Sequence, residues 1–357
     1  MARHTKSIGV AFIGTGAIMQ GCHIPNFRNI DGVELIAVCD VVENRARSVA
    51  EKHGIPNALT QYRDLLKRDD VDAVVVAVPT FLHAPIAINA LKAGKHVLCE
   101  KPPALNARQA QRMAKVAKDT RRVLTYGLQM LYESDVEMVK QMVDNGEFGE
   151  VYLGKASYLR RRGAPRGWFS EKDKSGGGAL IDIGVHLINL TWWLMGNPEP
   201  VRASGITFDR IGMSDTRFQA YQPMDVREGT AKASNPDVDE AAAGMIRFAN
   251  GAVMLIETSW QLNIKGPGGA WSAQIFGDAA GAKLPSLEIY RNLNGLQTNV
   301  TAHTSPTNGY IAEAEHFIEC IRYHKQPRMT PEHGVTLMKI IDALYRSSES
   351  GREVAIR

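Results

Sequence analysis

The first 130 residues alternate short, unbroken apolar runs with helix-length segments, and that rhythm restricts the fold more than any other feature of the chain. Residues 8–13, 34–39, 73–78 and 96–99 are β-branched or otherwise apolar, and helix-like stretches such as 44–53 and 85–93 lie between them. A strand that is apolar on both sides must be covered on both sides, which parallel sheets achieve by laying crossover helices on each face. The expectation is a doubly wound α/β (Rossmann) domain over residues 1–130, with a helix at 107–118 and a further strand at 123–129 extending the sheet.

Past residue 130 the rhythm changes. A helix at 134–145 leads to strand signals at 150–159, 201–208, 241–248, 252–260, 271–276 and 287–290, joined by turn residues such as Asn250-Gly251. That is the pattern of a large, mostly antiparallel open sheet. Residues 131–357 are therefore expected to form an α+β domain for substrate binding and oligomerisation, with helices at 311–323 and 331–347 returning toward the first domain. The stretch 209–237 is polar, aperiodic and long for a connection, so it reads as a lid or an oligomer arm.

Composition narrows the function classes. The chain has 357 residues, 44% hydrophobic and 22% charged, which is ordinary for a soluble globular protein of two domains. The net charge of +4 is spread out, and the densest basic run, Arg160-Arg161-Arg162 with Arg166, is too short to make a nucleic-acid surface. Cys22, Cys39, Cys99 and Cys320 are scattered, which fits reduced thiols in a cytoplasmic protein, and no metal is expected. The polar, basic start does not look like a signal peptide, and no apolar run is long enough to span a bilayer.

A cofactor signal begins at Gly14-Thr15-Gly16-Ala17-Ile18-Met19, directly after the first strand. Two glycines there allow a tight turn and close approach of a pyrophosphate to the backbone. Met19 stands where a third glycine would allow close helix–strand packing, which implies a displaced helix. Asp40 ends the second strand, where a carboxylate can accept hydrogen bonds from ribose hydroxyls, and Val41 follows where an arginine could have met a 2′-phosphate. NAD is preferred over NADP, although Arg45 and Arg47 lie close by and Asp40 could instead cap a helix.

Pro79, Thr80 and His83 follow the third strand at its carboxyl end, and Glu100-Lys101-Pro102 ends the fourth on the same edge, the edge at which open α/β sheets bind ligands. His83 could contact cofactor or cap the following helix. Farther on, Gly176-Gly177-Gly178 precedes an apolar helix on which Asp182, His186 and Asn189 recur at three- and four-residue spacing, one polar stripe on one face. An isolated Asp-x-x-x-His of this kind is more often a buried hydrogen bond than an active site.

Taken together, these residues resemble the glucose-fructose oxidoreductase, inositol dehydrogenase and MocA (Gfo/Idh/MocA) family. The resemblance covers Gly14-Thr15-Gly16, Asp40, Val78-Pro79-Thr80 with His83, residues 93–102 ending in Glu100-Lys101-Pro102, and Gly176-Gly177-Gly178 through Asp182 to His186. Phe248-Ala249-Asn250-Gly251-Ala252 and Glu257-Thr258-Ser259-Trp260 look like the family's substrate-domain strands. The resemblance implies that Lys101, Asp182 and His186 are catalytic, that Gln129 lies near the nicotinamide, and that substrates are sugars, cyclitols or glycosides.

On that footing His186 is the best general base, because a histidine titrates near working pH. Lys101 stabilises the developing alkoxide, and Asp182 orients the imidazole or binds a neighbouring hydroxyl. Tyr158, Arg160, Arg162, Trp168, Trp260 and Asn263 supply aromatic and hydroxyl-binding groups suited to a pyranose or an aryl glycoside. The arginine-rich segment resembles members that oxidise a glucosyl ring hydroxyl, carbon 3 being the favoured position. Two other readings stand beside a homo-oligomeric dehydrogenase (dimer or tetramer): an NAD-dependent glycoside-cleaving enzyme with transient sugar oxidation, and a non-catalytic cofactor-binding regulator.

Overall fold

In the computed structural model, the described residues are 7–165, 167–212, 236–265 and 270–357. They form two compact units, Met1–Gln129 with Asn308–Val335, and Met130–Thr307 with Thr336–Arg357.

Unit 1 is built on β1 (Ile8–Ile13), β2 (Val33–Cys39), β3 (Asn57–Leu59), β4 (Ala73–Val76), β5 (His96–Glu100) and β6 (Leu124–Gly127), all parallel, in the order β3-β2-β1-β4-β5-β6. Every residue of β1 and β4 is buried, as unbroken apolar strands covered on both faces require. The order reverses direction between β1 and β4, which makes their carboxyl ends the topological switch point where such sheets bind ligands. Helix Gly309–Tyr323, far away in sequence, belongs to this unit. Its Phe317 meets Phe27 edge-to-face at 6.2 Å, and Phe27 meets Phe12 of β1 at 5.9 Å. Ring pairs of this geometry add about 1 kcal/mol each beyond the burial of their area.

Unit 2 holds nine strands: β7 (Val151–Leu159), β8 (Pro200–Phe208), β9 (Ala241–Phe248), β10 (Val253–Ser259), β11 (Ala270–Gly277), β12 (Ala280–Leu284), β13 (Glu288–Leu293), β14 (Leu296–Thr301) and β15 (Val354–Ala355). Their order is β14-β13-β12-β11-β7-β10-β9-β8-β15. Only the central β7–β10 pair is parallel; the rest is antiparallel, as expected. Helix Val185–Leu194 lies against β7 and β11, and Leu344 packs over Gly205 of β8 and Gly244 of β9. Four strands exceed the sequence expectation: β3, β12, β14 and β15. Most of the stretch read as a lid or arm, 213–235, lies outside the described residues.

Candidate active site

The turn after β1 sits at the switch point of unit 1. Gly14 has φ +87°, and a Cβ there would stand 2.1 Å from the carbonyl oxygen of Ala77 at the end of β4, so only glycine fits. The Gly14 amide donates to the Cys39 carbonyl (2.8 Å), tying the turn to β2 as well. Asp40 holds the next residue: its Oδ2 accepts from the Thr15 amide (3.1 Å) and hydroxyl (2.8 Å), and its Oδ1 accepts from the Val42 amide (2.9 Å). The carboxylate is thus a brace for the glycine turn and does not cap helix Glu43–Lys52, whose N-cap is Val42. Arg45 lies 3.5 Å from Asp40 Oδ2, whereas Arg47 pairs with Glu43.

Gly14, Gly16, Ala17 and Ile18 all keep some exposed surface at this turn, while Met19 is fully buried in the core. The helix widens to a π turn over Met19–His23. The departure from the glycine pattern is therefore absorbed at the residue where it occurs, and π turns of this kind concentrate at functional sites. Several side chains expected at the cofactor lie inside the fold. Met19, Thr80 and His83 are closed off from solvent, at 0–1% exposure, and support the loops from behind. His83 bridges two of them, with Nδ1 2.8 Å from the Pro102 carbonyl and Nε2 2.8 Å from the Val78 carbonyl, and burial holds its pKa below the ordinary histidine value.

Lys101 follows β5, half-buried, in a cis peptide with Pro102. Beneath it, the buried Glu100 carboxylate points inward: Oε1 is 2.8 Å from His23 Nε2 and Oε2 accepts from the Lys101 amide at 3.0 Å. Burial alone would raise the Glu100 pKa, but the His23 hydrogen bond and charge, the Lys101 charge and the Lys101 amide together outweigh it and lower the value. Glu100 thus aims the backbone of Lys101. Gln129 follows β6 and is half-buried.

A second carboxyl shares this interior. Glu313, on helix Gly309–Tyr323, is 1% exposed, and its Oε1 has no hydrogen-bond partner among the described residues. Burial, then the charge of Glu100, pushes its pKa well above the ordinary 4.5. The folded protein therefore keeps a proton that the unfolded chain releases above that pH. The stability linked to this carboxyl is complete below the unfolded pKa and is lost as the pH rises through the folded one. Glu313→Gln should raise the melting temperature at about pH 8 and change it little at about pH 4; equal shifts at both would contradict the assignment.

In unit 2, Asp182 lies in a second π turn, Leu180–Gly184, and His186 in the α-helix that follows directly. His186 keeps exposed surface, Asp182 is 9% exposed and Asn189 is buried. The indole N–H of Trp260 donates to Asp182 Oδ2 at 2.9 Å. Trp260 is itself wholly buried, in a cluster with Ala164, Ala179, Ile183 and Val238, and its ring helps to hold the Asp182 carboxylate. Of the other expected substrate residues, Tyr158, Arg160, Arg162 and Asn263 lie at or just past the ends of β7 and β10, and Trp168 lies in the short helix Gly167–Ser170. The Arg160 guanidinium lies 5.1 Å from the Tyr158 ring centre, Arg162 Nη2 donates to Asn263 Oδ1 (2.8 Å), and Trp168 stacks on Phe169 at 3.8 Å. His23, Asp239 and Tyr345 are not singled out by sequence; a pair of adjacent acids, Asp239-Glu240, directly ahead of an apolar strand is the one signal available.

Among known families, the one described as "Oxidoreductase family, NAD-binding Rossmann fold" matches residues 8–128, and the GFO/IDH/MocA C-terminal domain matches residues 136–283. The chain belongs to the Gfo/Idh/MocA family. It is an oxidoreductase whose first unit is of the NAD-binding type. Among Gfo/Idh/MocA relatives, D-glucoside 3-dehydrogenase of Escherichia coli K12 is 31% identical over 99% of each chain. An oxidoreductase domain protein from Kribbella flavida superposes with a TM-score of 0.86 at 26% identity, covering 99% of this chain and 100% of that one. GenD2 of gentamicin A biosynthesis, solved in complex with NAD, gives a TM-score of 0.80 at 26% identity over 100% of this chain and 98% of that one.

Proposed function

We propose that the protein oxidises a secondary hydroxyl of a sugar, cyclitol or glycoside to a ketone, and that the hydroxyl is carbon 3 of a glucosyl ring. The observation that carries this reading is the end-to-end likeness to a D-glucoside 3-dehydrogenase. The residues at the switch point fit NAD. The Gly14 turn has no room for a side chain, Asp40 stands at the end of β2, the next side chain, Val41, is apolar and 87% exposed, and the nearby Arg45 is paired with Asp40 at 3.5 Å. Gly14, Gly16, Ala17 and Ile18 would hold the pyrophosphate, Asp40 the ribose, and Pro79, Lys101 and Gln129 the nicotinamide end. NAD supplies the hydride acceptor.

The chain's own residues manage the proton. As the C–H hydride departs, the hydroxyl O–H bond must break, and His186 Nε2 or Nδ1 accepts that proton. The Lys101 ammonium donates a hydrogen bond to the oxygen and stabilises its developing negative charge. Asp182, held by Trp260, orients the imidazole or a neighbouring ring hydroxyl. Tyr158, Arg160, Arg162, Trp168 and Asn263 recognise the rest of the glycoside. Incubation with an aryl glucoside and NAD, followed by product analysis, tests the reading: a ketoglucoside with its aglycone retained is expected. Freed aglycone would instead favour the glycoside-cleaving alternative.

The same reading includes a cytoplasmic homo-oligomer. Ile206, Ala243, Met245 and Leu255 are in register on the sheet face opposite Leu344, and Ile206 and Leu255 are 51% and 41% exposed. The same face carries Lys155, Glu257 and Arg247, and exposed apolar side chains set among charges are the composition of a surface that a partner can bury. Light scattering at micromolar concentration should give the mass of a dimer or larger; a monomer would overturn this part of the proposal.

A further inference from the structure

We propose that Asp239, backed by Tyr345, is a positioning residue that pins the start of the helix bearing Asp182 and His186 and thereby sets the aim of both side chains. The inference rests on the reading of those two as the residues that handle the alcohol.

A helix begins with amides that have no partner inside the helix. Here the chain enters through Gly176-Gly177-Gly178, which bring no side-chain acceptor of their own. The acceptors come from Asp239, 61 residues away: Oδ1 takes the Gly178 amide at 2.7 Å, Oδ2 the Leu180 amide at 2.9 Å, and the Asp239 carbonyl the Ala179 amide at 2.9 Å. One residue therefore accepts three successive amides. The Tyr345 hydroxyl adds a fourth donor, 2.8 Å from Oδ1, and Asp239 is 9% exposed. A carboxylate gripped this way at a helix start is a charge-assisted cap. The approach is so close that a Cβ on Gly178 would stand 1.8 Å from the Asp239 carbonyl oxygen, which accounts for the last glycine of the run.

The grip passes directly to the functional side chains. The carbonyl of the pinned Gly178 accepts the Asp182 amide at 3.0 Å, so a displaced Gly178 displaces Asp182. The adjacent residue closes the loop from the other side: the Glu240 carbonyl accepts the Trp260 amide at 2.7 Å, and the Trp260 indole holds Asp182 Oδ2. The dipeptide Asp239-Glu240 thus fixes both the backbone beneath Asp182 and the ring that fixes its carboxylate.

The test uses Asp239→Asn and Tyr345→Phe in the full chain, with two readouts: steady-state kinetics on a methyl glucoside with NAD, and the ¹⁵N indole N–H resonance of Trp260, assigned by its loss in Trp260→Phe. Asp239→Asn should lower kcat by about tenfold or more, leave the KM for NAD within about twofold, and shift the Trp260 resonance while that of Trp271 stays in place. Tyr345→Phe should act in the same direction with a smaller effect, and it carries both readouts should Asp239→Asn fail to fold. An unmoved Trp260 resonance, or a kcat within about twofold of the parent in folded Asp239→Asn, would overturn the proposal. His186→Ala measured alongside separates the two levels: full turnover in that variant sinks the role of His186, whereas the resonance speaks for Asp239 alone.

Discussion

Lys101→Ala and His186→Ala should each lower turnover by about 10²-fold or more, the scale on which positioned acid–base groups act, while NAD affinity should stay within about threefold. The two effects separate because the pyrophosphate turn is built without either residue. Gly14 is fixed by Ala77 and Cys39, and Thr15 by Asp40. Lys101 contributes a backbone amide to Glu100, and alanine keeps that amide, so the Glu100–His23 pair beneath it should survive. The loss should appear in kcat more than in KM, since charge on the oxygen develops only in the transition state. Stopped-flow turnover and a fluorescence titration of NAD check both halves. Turnover within a few-fold of the parent, in a folded variant that binds NAD, would remove that residue from the mechanism.

Asp40→Ser combined with Val41→Arg should shift cofactor preference toward NADP. The change removes a negative charge facing the ribose edge and adds a cation at an 87% exposed position. It should also weaken NAD binding, because Asp40 Oδ2 is the shared acceptor for the Thr15 amide and hydroxyl and serine cannot replace both bonds. The NAD dissociation constant should rise by about tenfold or more, some 1.4 kcal/mol, while that for NADP falls. Titration of both cofactors against both proteins decides it. Tighter binding of NADP by the unmutated protein would contradict the assignment of Asp40.

How legible these features are in the sequence depends on how local their causes are. β1 and β4 read plainly, because strands buried on both faces write an unbroken apolar run. β14, Leu296–Thr301, does not: five of its six residues are exposed and four are polar, so no alternation marks it. β12, Ala280–Leu284, is mostly small residues with no clear period, and β3 and β15 are three and two residues long. The same holds for the site. Asp182 and His186 share one helix and could be paired from their spacing. Trp260 as the holder of Asp182, His23 as the partner of Glu100, and Asp239 as the cap of the helix start all depend on contacts 61 to 78 residues apart, which no local pattern encodes. His83 is another non-local case: its ring lies between the Pro102 and Val78 carbonyls, a setting that its position at a ligand-binding edge does not reveal.

The most direct measurement is NADH absorbance when the protein meets NAD with a panel of sugars, inositols and glycosides, with NMR of the product to locate the new carbonyl. The account predicts NADH formed in step with a 3-ketoglucoside from alkyl or aryl glucosides. A folded, NAD-binding protein that forms no NADH with any member of the panel, and reduces no ketosugar when supplied with NADH, would contradict it.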